Sequence, residues 1–295
     1  MIGLQVVEVQ VAYRYGRPGP RMLPTPECES FRKARIFDAV GGKVCFAQAS
    51  LGFHEIVETD PVADVSLLGS RIAAAVAEGV RAGRKPLLLG GNCTSVPAMV
   101  GGLQQGHGAE TRIGLVWIDA HADFNTPRTS ADGLLGGMPV ATVAGFCQPR
   151  WRAATGLEAP IPADRILMVD VRRMSEAERT IVEASDIEVV AVDSPALGSA
   201  VERLAAETDL LYVHIDLDVL DPALVPAHYA REAGGPTVEQ VVAALEPMFD
   251  TGRVGAFALV SLYAVAPEGD KSITAAIGIL RPALARWDQA TKSST

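Results

Sequence analysis

Cysteine is scarce in this chain of 295 residues: there are four, Cys28, Cys45, Cys93 and Cys147, and no two form a Cys-x-x-Cys pair. That spacing excludes a disulfide framework and a zinc ribbon, and it makes a reducing, cytoplasmic setting the simplest expectation. Positive charge is in short supply as well, with 26 Lys and Arg against 35 Asp and Glu and a net charge of -9. No basic cluster is available to a phosphate backbone, so a nucleic-acid partner is excluded. Long apolar runs are missing: none approaches the roughly 20 residues of a membrane-spanning helix, which leaves no membrane partner. From Met1 to Tyr13 the apolar residues are interrupted by Gln5, Glu8 and Gln10, so this segment reads as a strand and not as a signal. Repeats and polar linkers are absent too, and one domain over residues 1–295 is expected.

What is present is the composition of a packed globular protein, 48% hydrophobic and 21% charged. Short runs rich in Val, Ile and Leu recur at Gly3 to Val11, Pro86 to Leu89, Ile113 to Ile118, Arg165 to Val169, Glu188 to Val192, Leu210 to Ile215 and Val254 to Val260. They read as buried strands. Ala-rich segments with helical spacing lie between them at Val65 to Ala82, Ser175 to Ala184, Ala196 to Ala206 and Thr237 to Phe249. This alternation predicts an α/β fold, a three-layer α/β/α arrangement around a mainly parallel sheet, with a site at the carboxyl ends of the strands. Tyr15 to Glu29 and Asn125 to Pro139, crowded with turn-forming residues, read as loops.

The strongest chemical signal stands where one strand runs out, in Trp117-Ile118-Asp119-Ala120-His121-Ala122-Asp123. In extended chain Asp119, His121 and Asp123 share a face. Such groups can also cap a helix or satisfy backbone donors, but three on one face would repel one another or strand charge. A second strand end, His214-Ile215-Asp216-Leu217-Asp218, adds Asp216 and Asp218. Burying four carboxylates together demands compensating positive charge, which two divalent metal ions would supply. His214 is expected to point away from Asp216 and to be a satisfied core histidine or a support for the ligands. A third segment, Leu89-Gly90-Gly91-Asn92-Cys93, turns through glycines and delivers Cys93 to the same edge; a cysteine there is more often a small buried hydrophobe than a ligand.

Together the three segments resemble the arginase and agmatinase (ureohydrolase) family, whose pattern is Gly-Gly-Asp-His-Ser, Asp-Ala-His-x-Asp and Asp-x-Asp-x-x-Asp-Pro in this order. The resemblance implies a single arginase-like domain and a binuclear centre. In it Asp119 and Asp216 bridge two manganese ions, Cys93 and Asp123 hold one, and His121 and Asp218 the other. It further implies hydrolysis of a C–N bond in a linear amidine or guanidino compound by a metal-bridging hydroxide, with Asp221 and His214 orienting ligands from behind. The family often forms trimers or hexamers, which leaves a homo-oligomer open.

Several positions depart from the family. Cys93 stands where the family has histidine, and a thiolate would shift metal preference from manganese toward zinc or iron. Arginases carry a proton-shuttling histidine where this chain has Gly136; His228 is a candidate replacement. Asn125 keeps a substrate-binding position, whereas Asp132 replaces a serine that helps hold a carboxylate. Glu178 matches the glutamate of the family's substrate-amine loop, while Ser175 replaces its aspartate. No carboxylate in Leu262-Tyr263-Ala264-Val265-Ala266-Pro267 matches the glutamate that pairs with guanidinium. Cysteine at the metal without the loop histidine is similar to the hydroxyarginine hydrolase of cycloserine biosynthesis, which makes an N-hydroxyarginine-like substrate an expectation. Two alternatives stay open: amide hydrolysis assisted by Tyr263, as in related deacetylases, and a non-catalytic metal-binding protein.

Overall fold

The computed structural model describes residues 1–10, 27–57, 59–263 and 268–293. Most of the loop expected at Tyr15 to Glu29, and the end of the Leu262 to Pro267 segment, fall outside these residues.

Eight strands form one sheet: β1 (Leu4–Gln10), β2 (Val44–Ser50), β3 (Lys85–Gly90), β4 (Ile113–Ile118), β5 (Ile166–Val169), β6 (Glu188–Val190), β7 (Leu210–Asp216) and β8 (Val254–Val260). Their spatial order is β2-β1-β3-β8-β7-β4-β5-β6, and every neighbouring pair is parallel. The chain steps from β3 past two strand positions to β4, runs outward to β6, and returns to fill the gap with β7 and β8. All but one of the strands are where the apolar runs place them, within a residue or two at each end. The exception is β2. It lies at the sheet edge, where only one flank is paired, and much of it is open to solvent, Phe46 being 45% exposed. A half-covered edge strand needs no continuous apolar run, so composition gives it no signal.

Helices cover both faces. Among them, α1 (Glu27–Lys33), α7 (Leu197–Glu207), α8 (Val238–Asp250) and α9 (Gly269–Ser293) pack on one side. The other side carries α2 (Pro61–Arg81), α3 (Val96–His107), α4 (Pro139–Val143), α5 (Pro149–Ala154) and α6 (Glu176–Glu183). Apolar residues of successive strand positions alternate between the two layers: Leu4 and Val6 face one, Val7 and Val9 the other. In α9, which contains Pro282, the residues Ala276, Ile279, Leu280, Ala283, Leu284 and Trp287 form the buried stripe. Local chemistry fixes two helix starts. Thr237 with Gln240 and Ser175 with Glu178 each form a reciprocal capping box. Among the described residues no helix is long and apolar enough to cross a membrane.

The α2–α3 contact depends on a missing side chain. A Cβ at Gly102 would lie 2.7 Å from the carbonyl oxygen of Ala73 and 2.6 Å from Cβ of Val76. Replacing a mid-helix glycine by alanine ordinarily stabilises by roughly 1 kcal/mol. Here the sign reverses: Gly102→Ala is expected to destabilise by about 1–3 kcal/mol and to lower Tm by several degrees in thermal unfolding. A raised Tm would show that the two helices have room to part.

Candidate metal centre

The four central strands β3, β8, β7 and β4 end side by side, and each hands one or more polar side chains to the same crevice. Strand β3 leaves through Gly90 and Gly91, both at positive φ (80° and 69°). A Cβ on either would lie 2.8 Å from Val9, from its carbonyl oxygen or its side chain. Only glycine makes this turn, and it brings Asn92 to cap the next residues and Cys93 to the sheet edge. Asp119, His121 and Asp123 follow β4. Asp216 closes β7, Asp218 lies just beyond it, and Ser261 follows β8.

All six residues expected to hold metal converge. The Sγ of Cys93 is 2.8 Å from Oδ2 of Asp216 and 3.7 Å from Oδ2 of Asp119. The Nδ1 of His121 lies 3.1 Å from Oδ2 of Asp218 and 3.5 Å from Oδ1 of Asp119. Backbone donors aim the carboxylates: the N–H groups of His121 and Asp218 donate to Oδ1 of Asp119 and of Asp216 at 2.7 and 2.9 Å. Three groups bring donor atoms within 4.8 Å of one another: Cys93, Asp119 and Asp123; Asp119, His121 and Asp218; Asp216, Asp218 and His228. Asp119 belongs to two of them, and so does Asp218.

The charges in this cluster are out of balance. Burial, reinforced by neighbouring aspartates, pushes the carboxyls of Asp119 and Asp123 and the thiol of Cys93 well above their ordinary values. Asp216 rises to about 7, chiefly through burial and then the charge of Asp218. Burial alone would lower the His121 imidazole, but hydrogen bonds and charge from Asp119 and Asp218 outweigh it and lift it to about 12. A proton on His121 thus does part of the work that cations would do. Carboxylates, one imidazole and one thiol, at these spacings and with this excess of negative charge, fit a pair of divalent ions.

The remaining expected residues divide into two sets. His228 and Asp132 line the same cavity, of about 310 Å³, together with Leu134, Gly136, Gly137, Tyr229 and Ala230. Asn125, Glu178 and Tyr263 do not line it. Asn125 sits behind Gly137 and gives its backbone N–H to that residue's carbonyl. Glu178 is buried, accepting from the N–H of Phe124 at 2.8 Å while it completes the cap of α6, so it anchors the chain just after Asp123. Tyr263 packs edge-on against the His228 ring, with centroids 4.7 Å apart.

His214 corrects an expectation. Residues two apart on a regular strand share a face, so Tyr212, His214 and Asp216 all point the same way. The His214 ring is simply one step deeper, stacked on Trp117 at 4.5 Å with Nδ1 2.8 Å from the Tyr212 hydroxyl. Asp221 instead caps its own turn by accepting from the N–H of Ala223. Three residues escaped sequence reasoning. Ser261 donates from Oγ to Oδ2 of Asp216 at 2.5 Å; its place at the end of β8 was a signal of the same kind as the others. Glu232, 3.7 Å from Nε2 of His121, and Arg172, which donates to the carbonyls of Val219 and Glu232, sit in irregular segments that carry no such signal.

Comparison with known proteins agrees with this architecture. The sequence model of the Arginase family matches residues 4–284. The arginase of Brucella melitensis is 29% identical over 293 residues, covering 92% of each chain. The crystal structure of arginase from Bacillus cereus superimposes with a TM-score of 0.80 at 20% identity, covering 96% of this chain and 98% of that one. Formimidoylglutamase from Bacillus subtilis gives 0.75 at 16% identity, over 99% and 88%.

Metal binding to this cluster is expected to release protons, because His121 and the raised acids must be deprotonated to ligate. Affinity should therefore fall as pH falls, by about tenfold per pH unit for each proton displaced. Calorimetry in buffers of different ionisation enthalpy measures the release; affinity independent of pH, with no protons released, would contradict the assignment.

Proposed function

Since this chain belongs to the Arginase family, we propose that it hydrolyses a C–N bond in a linear amidine or guanidino compound, using two divalent ions. Cys93, Asp119, Asp123 and Asp216 would hold one ion; His121, Asp119, Asp216 and Asp218 would hold the other. The observation that carries the reading is the overlap of donor groups, with Asp119 shared between the cluster of Cys93 and that of His121. When bound, such ions act as Lewis acids and lower the pKa of a coordinated water to about 7. Manganese is the metal we propose, and the thiolate of Cys93 makes zinc or iron the competing occupants.

The chain's own residues contribute exclusion of water and charge selection. Cys93, Asp119, Asp216 and Asp218 are buried, so a compound entering the cavity meets fixed dipoles in place of bulk solvent. Once deprotonated to ligate, the four carboxylates and one thiolate carry more negative charge than two divalent ions neutralise. Asp132 adds a further carboxylate to the lining. A substrate with a cationic group fits this field; one that offers only a carboxylate does not. Asn125 and Glu178 support the reading from behind, by fixing the segment that carries Asp123. Amide hydrolysis assisted by Tyr263 has less support, because that side chain lies behind His228.

Protein of known metal stoichiometry, incubated with arginine, agmatine, guanidino acids and N-hydroxyarginine, should release urea or a substituted urea from at least one of them. Asp119→Ala should abolish turnover and lose both ions. Two bound ions with no turnover of any of these compounds would overturn the reading.

A further inference from the structure

His228 could act on this site in three ways: as a metal ligand, as an acid–base shuttle or as a fixed hydrogen-bond donor. Its surroundings decide among them. The backbone N–H of Ala230 points at Nδ1 from 3.2 Å, and an N–H can be accepted there only by a lone pair. Nδ1 is therefore unprotonated, and the single ring proton sits on Nε2. A nitrogen that carries a proton has no lone pair to give a metal, so the proximity of His228 to Asp216 and Asp218 is not ligation.

The Nε2–H donor has no protein acceptor among the described residues although the residue is only 3% exposed. Its nearest carboxylate oxygen, Oδ1 of Asp216, is 3.7 Å away, beyond hydrogen-bond length. The ring is held in this pose. Tyr229 stacks on it at 5.3 Å, Tyr263 meets it edge-on at 4.7 Å, and the His228 backbone N–H donates to the carbonyl of Val225. The residue lines the cavity. A buried, immobilised donor beside the donor cluster costs free energy until an acceptor atom arrives.

We propose that His228 is a fixed Nε2–H donor that selects compounds bearing a lone-pair atom, foremost a neutral oxygen, on the group that reacts. A guanidinium presents only N–H donors and positive charge, so it would face Nε2–H donor to donor and leave the histidine unpaired. A hydroxyguanidine, ureido or amide oxygen would accept from it. This rests on the hydrolase reading for the site and deepens it by naming the atom the substrate must carry. It also gives Gly136 a different meaning: the chain has not moved a proton shuttle from that position to His228 but has installed a recognition group.

Matched ligand pairs test this by binding as well as by turnover. Arginine with citrulline, and agmatine with N-carbamoylputrescine, differ only in exchanging guanidinium for a ureido group. On metal-loaded protein, His228→Ala should weaken the ureido member of a pair by about tenfold, the weight of one hydrogen bond, and leave the guanidinium member unchanged or tighter. His228→Gln, whose Nε2 can replace the donor, should restore most of the difference. Both variants should keep the metal content of the wild type, and nitrogen NMR of the metal-free protein should find the His228 proton on Nε2. Loss of an ion in His228→Ala, a proton on Nδ1, equal weakening of both members, or failure of the wild type to bind either ureido compound would each overturn the proposal. Absence of turnover with intact discrimination in binding would count against hydrolysis alone.

Discussion

Four carboxylates and a thiol gathered in one buried crevice repel one another, and the rest of the structure is arranged around that repulsion. Taking even one such group out of water costs several kcal/mol unless it is paired. The protein offsets part of this with backbone N–H donors to Asp119 and Asp216, with the Ser261 hydroxyl, and with a proton on His121. What remains uncompensated is the capacity for divalent cations. Stability and function are therefore coupled through a single charge balance, and any change of donor set alters both.

The scaffold meets this constraint by parallel strands. Because β3, β8, β7 and β4 all point the same way, their carboxyl ends bring residues more than 160 positions apart in sequence, Cys93 and Ser261, to one aspartate. The backbone bears strain where the donors are aimed: Asp123 and Ser261 both adopt positive φ, 47° and 59°, a conformation uncommon outside glycine and concentrated at functional sites. Glu178 ties the Asp123 segment to the start of α6, and Arg172 ties the loop bearing Glu232 to the end of β7. These two ties bring irregular segments into the register set by the sheet.

Much of this was legible in the sequence because buried parallel strands are almost wholly apolar. Polar residues that interrupt such runs at their ends are conspicuous, which is how Asp119, His121, Asp123, Asp216 and Asp218 stood out. Cys93 needed the resemblance, since a lone cysteine after a glycine turn has no chemical signature of its own. Strand β2 was lost because an edge strand can be half-polar. The partition of Asn125, Glu178 and Tyr263 from the cavity was not legible. Which of two neighbouring residues reaches a pocket depends on loop geometry, and Glu178 is recruited by the backbone of Phe124, a contact that motif spacing does not encode. The His228 tautomer likewise depends on one backbone N–H two residues later.

The central claim is that the acidic crevice is a two-ion site with shared carboxylates. Anomalous diffraction at the manganese edge from crystals of the manganese-loaded protein tests it directly. Two peaks are expected, one between Cys93 and Asp123 and one between His121 and Asp218, both in contact with Asp119 and Asp216. A single peak, or ions bound elsewhere with these aspartates unligated, would contradict the account.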